Sequence, residues 1–455
     1  MSSPSSPAGA ESAVPKVDEQ RFHRAVQRRY VGFAPSQKSK NYSPEKSPGD
    51  ASDEEYTFVQ LADTQFGMMA ESKNLQWYRH FRYLIHLATC GRNDGKALIP
   101  VPELRAGLRD LDDEALLELE IEIARKTVKV INRLRPKPRF AVVCGDLTNA
   151  FPDKKPSAQE KEVNIFKQIF SDLDSEIELV CVCGNHDVGQ TPTPQTLEAY
   201  KNRFGDDYFS FRVGSDRYVV LNSQLYMDPS KCKEAAEAQD LWLDGELFDR
   251  APSAVRHNIA FTHIPPFISK PDEHHAGFNL PVPTRMKLLS RLAQAGFSHV
   301  FSGHYHRNAG GVFERKHLGP LEVVTTAAIG GNLMTDPEAD PLAYEGMMQI
   351  DINDHLSGLR IVHVGPKGVR HEFRTIRELR DSYRKERDAW TVEEDDTIMT
   401  MRRKGNPWEE IAASLNSARV DAKAELARQR SASLIKHRYK TLKSARQAAF
   451  AAQNA

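Results

Sequence analysis

The stretch Val180-Cys181-Val182-Cys183-Gly184-Asn185-His186-Asp187 begins with four apolar residues and ends, after one glycine, in an amide, an imidazole and a carboxylate. The apolar run reads as a buried strand. Polar groups set that close to it need partners. The same arrangement recurs along the chain. Tyr56–Leu61 runs into Asp63-Thr64-Gln65-Phe66-Gly67, and RFAVVC (139–144) into Gly145-Asp146. His257–Phe261 leads to Thr262-His263, and Ser298–Phe301 to Gly303-His304-Tyr305-His306.

Helical spacing fills the gaps between these strands. Leu117, Ile121, Ala124, Val128 and Ile131 mark a helix over 114–134, stopped by Pro136 and Pro138. Further helices are expected at about 157–173, 236–249 and 284–295. Strands are expected at 208–213 and 217–223, and then at about 321–328, 346–352 and 359–363. The alternation predicts an α/β layered fold with a largely buried sheet system. In open α/β sheets ligands bind beyond the carboxyl ends of strands. Asp63, Asp146, Asn185, His263, His304 and His306 can therefore meet, although the first and last lie more than 240 residues apart.

Carboxylate, imidazole and amide oxygen together suit Mn, Fe, Zn or Mg, and no thiolate is among them. Two such metals about 3.5–4 Å apart, bridged by a carboxylate, can grip a phosphate and acidify a water. The ordered set D…GD…GNHD…H…GHxH resembles the calcineurin-like metallophosphoesterase superfamily over about residues 56 to 375. The longer segments LADTQFG, CGDLTNAFP, PTPQTLEAY, GDDYFSF, LNSQLY, WLDGEL, HIPPF and FSGHYHRNAGG look like its branch of calcineurin-like phosphoesterase domain-containing serine/threonine-protein phosphatases.

The resemblance implies a four-layer αββα sandwich with a dinuclear site at one end of its sheets. It implies that Asp63 and His306 bind one divalent metal, that Asp146 bridges both, and that Asn185, His263 and His304 bind the second. His186 would lie over the phosphate, stabilise the transition state and protonate the leaving oxygen, with Asp187 orienting the imidazole. The superfamily usually has His where this chain has Gln65, a weaker metal ligand or a residue one step behind the metals. The implied reaction is hydrolysis of phosphate monoesters, on phosphoserine or phosphothreonine of proteins, by in-line attack of a metal-bound hydroxide. The alternatives are a phosphodiesterase or nucleotide hydrolase on the same site, and a nucleic-acid- or chromatin-associated scaffold.

Other residues near these motifs have plainer readings. Tyr305 and the Trp242/Leu243 pair read as packing, and His274 and His275 as part of a solvated loop. Asn149 could face substrate, and Arg307 or Asn308 could touch a phosphate.

Bulk composition adds limits. Lys plus Arg and Asp plus Glu both number 62, so net charge points to no partner. Five cysteines include Cys144, Cys181 and Cys183 in apolar runs, which suits buried thiols in a reducing compartment. No apolar run approaches the ~20 residues of a spanning helix. The N-terminus lacks the features of a signal peptide, so no membrane association is expected. The default location is the cytoplasm, with the nucleus as the alternative.

Residues 1–50 are rich in Ser, Pro and charge and read as a disordered tail. The phosphoesterase domain is expected over 51–373, a charged helical linker over 374–388, a helical domain over 389–446 and a tail over 447–455. That helical domain resembles a Myb/SANT-like three-helix repeat: Trp390 and Trp408 match two of its core aromatics, Tyr439 falls where a third tryptophan is usual, and residues 417–429 look like an insertion before the last helix. Its last helix would present Lys436, His437, Arg438 and Lys440. From Arg384 onward 15 Lys and Arg face 10 Asp and Glu, a small excess that favours a protein partner over DNA.

Overall fold

The computed structural model describes residues 55–73, 103–104, 107–108, 110–248, 255–335, 347–388, 390–421 and 430–453. The expected N-terminal tail lies outside them. In chain order the strands are β1 (Tyr56–Leu61), β2 (Glu103–Leu104), β3 (Phe140–Cys144), β4 (Glu178–Val182), β5 (Phe209–Val213), β6 (Asp216–Val220) and β7 (Asn258–Phe261). They continue with β8 (Phe297–Ser302), β9 (Ala309–Phe313), β10 (Leu321–Thr325), β11 (Asn332–Thr335), β12 (Met347–Asp351), β13 (Gly358–Gly365) and β14 (Gly368–Thr375). The helices are α1 (Met68–Lys73), α2 (Asp113–Ile131), α3 (Pro156–Phe170), α4 (Asn185–Val188), α5 (Pro194–Phe204) and α6 (Gln224–Met227). They continue with α7 (Lys233–Phe248), α8 (Val282–Gln294), α9 (Ile376–Asp388), α10 (Val392–Arg403), α11 (Trp408–Asp421) and α12 (Ala432–Gln453).

One sheet has the order β14-β13-β1-β3-β4 and a second β5-β6-β7-β8-β10-β9; β11-β12-β2 form a small third. In the first, β1, β3 and β4 run parallel. In the second, β6, β7, β8 and β10 do. Their carboxyl ends carry the polar motifs. The two large sheets share one core: Phe58, Phe140, Val142, Val180 and Val362 of the first cluster with Phe211, Tyr218, Phe261, Phe301 and Val324 of the second. Phe58 stacks on Phe140 at 4.6 Å and meets Tyr218, Phe261 and Phe301 edge-on at 5.7 to 5.9 Å. The alternate residues Val59, Leu61, Ala141 and Val143 are buried as well, so both faces of the central strands are covered. On the second sheet α7 and α8 supply that cover, with Leu243, Leu288, Leu289 and Leu292 against Val219, Ala260, Val300 and Val323.

The mixed α/β architecture is the expected one, with differences in detail, among them helix α5 and strand β11, which were not expected. The expected strand at 359–363 is one arm of a hairpin, β13 returning through Pro366-Lys367 to β14. Most β14 side chains are half-buried or exposed, so no apolar stripe announces it. Strand β9, AGGVF, was missed because its glycines carry no strand signal. The tail expected over 447–455 is helical as far as Gln453, where α12 continues through alanines that favour helix.

The chain divides into two compact units between Ile376 and Arg377. In the C-terminal unit α10, α11 and α12 enclose Ile398, Ile411, Leu415 and Ile435, with Trp390, Trp408 and Tyr439 packed against them. Thr391 and Glu394 form a capping box at the start of α10. Among the described residues no helix is long and apolar enough to cross a membrane.

Candidate active site

At the carboxyl ends of β1, β3, β4, β7 and β8 the chain turns sharply. Asp63, Gln65, Asp146, His304 and His306 have φ of 54°, 34°, 50°, 68° and 54°. Left-handed backbone in such residues costs about 1–3 kcal/mol each and persists only where surroundings impose it. Here cross-loop hydrogen bonds do so: Asp63 N to Gly145 O (3.1 Å), Gln65 N to Asp146 O (3.0 Å) and Gly303 N to His263 O (3.0 Å). Two glycines allow the close approach. A Cβ on Gly145 would enter the His263 ring, and one on Gly184 would collide with the Asp146 backbone and carboxylate.

All six residues of the expected ligand set come together, and Gln65 joins them. His263 Nε2 lies 3.2 Å from Asp146 Oδ2, 3.0 Å from Asn185 Oδ1 and 3.1 Å from His304 Nδ1. His306 Nε2 lies 3.6 Å from Asp63 Oδ1. Asp146 belongs to both groups of potential ligands, Asp146/His263/His304 and Asp63/Asp146/His306, whose ligating atoms lie within 4.8 Å of one another in each group.

The donor chemistry fits cations. The outer nitrogen of each histidine faces a backbone carbonyl: His263 Nδ1 at Cys144 O (2.8 Å), His304 Nε2 at Gly277 O (3.2 Å) and His306 Nδ1 at Gly331 O (2.6 Å). The outer nitrogen therefore carries a ring proton, and the inner nitrogen points into the cluster, as a lone pair wherever the ring is neutral. Such backing is the usual arrangement for metal-binding imidazoles. Inward lie a carboxylate, an amide oxygen and the lone pairs of His304 and His306, a crowd of acceptors. Gln65 Oε1 is also buried there without a hydrogen-bond partner, while its Nε2 donates to Asp146 Oδ2 at 3.2 Å.

The charges agree with this. Burial pushes His304 down to about 3 and His306 down to about 4, so both are neutral at pH 7. Burial also holds Asp63 well above the usual carboxylate range. Burial opposes charge at His263 and Asp146 too, but their mutual attraction outweighs it. His263 rises to about 9, and Asp146 stays below the usual range, helped by His186. One proton at His263 offsets the clustered carboxylates, and a metal held by this ring would have to displace it.

His186 begins beside this cluster on α4. Its backbone N–H donates to Asp146 Oδ1 at 2.9 Å. Its ring is half-buried between buried neighbours. Ring Nδ1 donates to the Asn149 carbonyl, and the Phe151 ring stacks on the imidazole at 4.2 Å. The expectation that Asp187 orients this ring is corrected. Asp187 Oδ1 and Oδ2 accept from the N–H groups of Leu147, Thr148 and Gly184 and from Thr148 Oγ1, at 2.8 to 3.2 Å. Asp187 ties the GNHD turn to the Asp146 loop, and the ring is held by Asn149 and Phe151.

Residues 57–308 match the family described as Calcineurin-like phosphoesterase. The chain belongs to that family. The human "Serine/threonine-protein phosphatase CPPED1" is 41% identical over 263 residues, 58% of this chain and 76% of the relative. The zebrafish protein of the same name is 33% identical over 363 residues, 80% and 95% of the two chains. The chain is thus a metal-dependent phosphatase of the calcineurin-like family, which works with divalent metal ions.

Other sequence candidates of this phosphoesterase fall into place around the site. Tyr305 is buried against Phe278 and under the Arg307 guanidinium, as expected of a packing residue. Asn308 accepts from Arg360 at 2.9 Å. Asn149 reaches His186 through its backbone and Glu71 through its side chain, at 2.7 Å. The carbonyls of Cys144, Gly277 and Gly331 were not foreseen, since backbone acceptors leave no trace in residue identity. Phe151, five residues past Asp146 in GDLTNAF, was in view and could have been read as the partner of a ring.

Proposed function

We propose that this phosphatase is a four-layer αββα metallophosphoesterase with a dinuclear centre, and that it removes phosphate from serine or threonine side chains of proteins. The observation that carries this is the inward-facing set of lone pairs around Asp146, with each imidazole backed by a carbonyl. Asp63 and His306 would hold one cation, Asn185, His263 and His304 the other, and Asp146 both, with Gln65 Oε1 within the first group. Two divalent cations there would supply positive charge for the phosphate oxygens and would lower the pKa of a water. His186 gives a proton to the leaving oxygen as the imidazolium: its Nδ1 hydrogen is committed to Asn149, so Nε2 first takes up from solvent the proton that it transfers. Phe151 shields one ring face and keeps the imidazole in plane. Protein substrates are inferred from the names of the relatives.

For the C-terminal unit we infer a Myb/SANT-like module that contacts protein. Arg430 and Arg438 pair with Glu394 and Asp395, so less of the basic excess is available to phosphates. Tight binding of the full chain to duplex DNA at physiological salt would contradict this.

The main test combines metal content with turnover of phosphopeptides, p-nitrophenyl phosphate and its bis ester. Asp146→Ala is expected to lose both metals and activity. His186→Ala is expected to keep its metals and lose about 10²–10⁴-fold in kcat. Normal turnover in Asp146→Ala would refute the centre, and preference for the bis ester would make the enzyme a phosphodiesterase.

A further inference from the structure

Helix α3 lies along the back of the His186 loop and carries Gln159 and Glu162, one helical turn apart on the same face. Both are buried, at 1% and 9% exposure, and neither belongs to the ligand set. Glu162 Oε2 accepts from the backbone N–H groups of Asn149 and Ala150, each at 2.7 Å. Gln159 Nε2 donates to the backbone carbonyls of His186 (3.1 Å) and Asp187 (3.2 Å). Arg203 of α5 donates to Gln159 Oε1 at 2.6 Å and so fixes which way that amide faces.

These contacts grip two backbone segments at once. One carries His186. The other carries the Asn149 carbonyl, the acceptor for the His186 ring. With two short bonds to one carboxylate oxygen, the Asn149–Ala150 peptides cannot rotate. The Asn149 carbonyl therefore stays aimed at Nδ1, and a fixed acceptor at Nδ1 fixes the tautomer.

We propose that Glu162, assisted by Gln159, is a positioning residue for the phosphatase reaction, holding the His186 Nδ1–H on the Asn149 carbonyl so that Nε2 is the nitrogen that takes up and gives the proton. This rests on the assignment of His186 as the group that protonates the leaving oxygen. Glu162 touches neither substrate nor metal; it acts through the loop. A misplacement of about 1 Å in such a group can cost about a hundredfold in rate. The acceptor oxygen is what matters, so glutamine, which keeps one carbonyl oxygen, should serve nearly as well as glutamate.

The experiment uses the full chain loaded with Mn, with p-nitrophenyl phosphate as substrate, and compares Glu162→Ala with Glu162→Gln. In Glu162→Ala, kcat should fall by about ten- to a hundredfold with KM within about twofold and metal content unchanged. Glu162→Gln should stay within about threefold of the parent. Ring ¹⁵N shifts of His186, assigned with His186→Ala and read at a pH high enough for the ring to be neutral, should report the Nδ1–H tautomer in the parent and in Glu162→Gln, and a tautomer mixture in Glu162→Ala. If Glu162→Ala does not fold, Gln159→Met carries the same kinetic test, with the same loss in kcat at unchanged KM. Unchanged turnover and tautomer in the alanine variant, or equal damage in alanine and glutamine variants, would overturn the proposal. If the parent itself shows no turnover with any divalent metal, the assigned reaction fails, and the ring spectra still decide whether Glu162 controls the imidazole.

Discussion

Gln65 shows how a single side chain can tune this centre. Its Oε1 is buried without a partner and its Nε2 leans on Asp146. An amide oxygen is a weaker ligand than imidazole and suits harder cations such as Mg or Mn. Gln65→His should therefore slow metal loss under chelation, and identical loss rates in both proteins would refute that role. Glu162 gives a second residue-scale prediction, this time in pH. Burial lifts its carboxyl from 4.5 to about 7. A raised carboxyl stabilises the fold fully below pH 4.5, and that contribution is lost as pH rises through 7. Between pH 5 and pH 8 the loss is about 2–3 kcal/mol. Glu162→Gln should accordingly gain in melting temperature relative to the parent as pH rises, and parallel curves would contradict the burial argument. The six clustered residues were legible because each follows an apolar strand as a polar residue with nowhere else to go. The role of Asp187 was not legible: two of the N–H groups it binds belong to Leu147 and Thr148, about 40 residues earlier, and only the folded chain brings them near.

Between the elements, one cluster joins the two large sheets away from the site. His299 on β8 and Glu322 on β10 are register partners, and His371 comes from β14 of the other sheet. Each imidazole Nε2 lies 3.3 Å from a Glu322 oxygen. Arg360 donates to His371 Nδ1 at 3.0 Å, so the proton of that ring sits on Nε2 and faces Glu322. The cluster is thus a hydrogen-bonded clasp and not a cation site. Hydrogen bonds from His299 and then His371 hold Glu322 below the usual carboxylate range. A lowered carboxyl contributes stability above its ordinary value of 4.5 and loses it as pH falls, the opposite slope to Glu162. The Glu322 side chain is 42% exposed, and with solvent screening the clasp stabilises by about 1 kcal/mol or less. Glu322→Gln should lower the melting temperature slightly at pH 7 and the gap should close as pH drops below 4.5; a gap that widens would refute the clasp. The clasp depends on β14, which the sequence hid behind half-exposed polar residues. The central strands were legible for the converse reason, since burial on both faces demands unbroken apolar runs.

At the scale of the whole molecule the two units have separate cores, and the site is built entirely from the first. The second is held by an unusual core element. Arg430 is 1% exposed, donates to both oxygens of Glu394 at 3.0 and 2.9 Å, and lies 3.9 Å over the Trp390 ring. The sequence count treated this arginine as part of a basic surface. The fold instead buries it as the partner of the Glu394 capping box, which fixes the start of α10. Removing one member of a buried pair strands the other charge, at about 3–5 kcal/mol. That is a large share of the stability of so small a unit. Arg430→Ala should therefore unfold the C-terminal unit while the phosphatase core keeps its own transition. Calorimetry would show the loss of one melting event, and turnover of p-nitrophenyl phosphate should be unchanged. Replacing the pair together by Arg430→Met with Glu394→Leu should restore much of the lost stability, because no charge is then left without a partner. A single unbroken transition in Arg430→Ala, lowered as a whole along with activity, would mean that the two units fold as one.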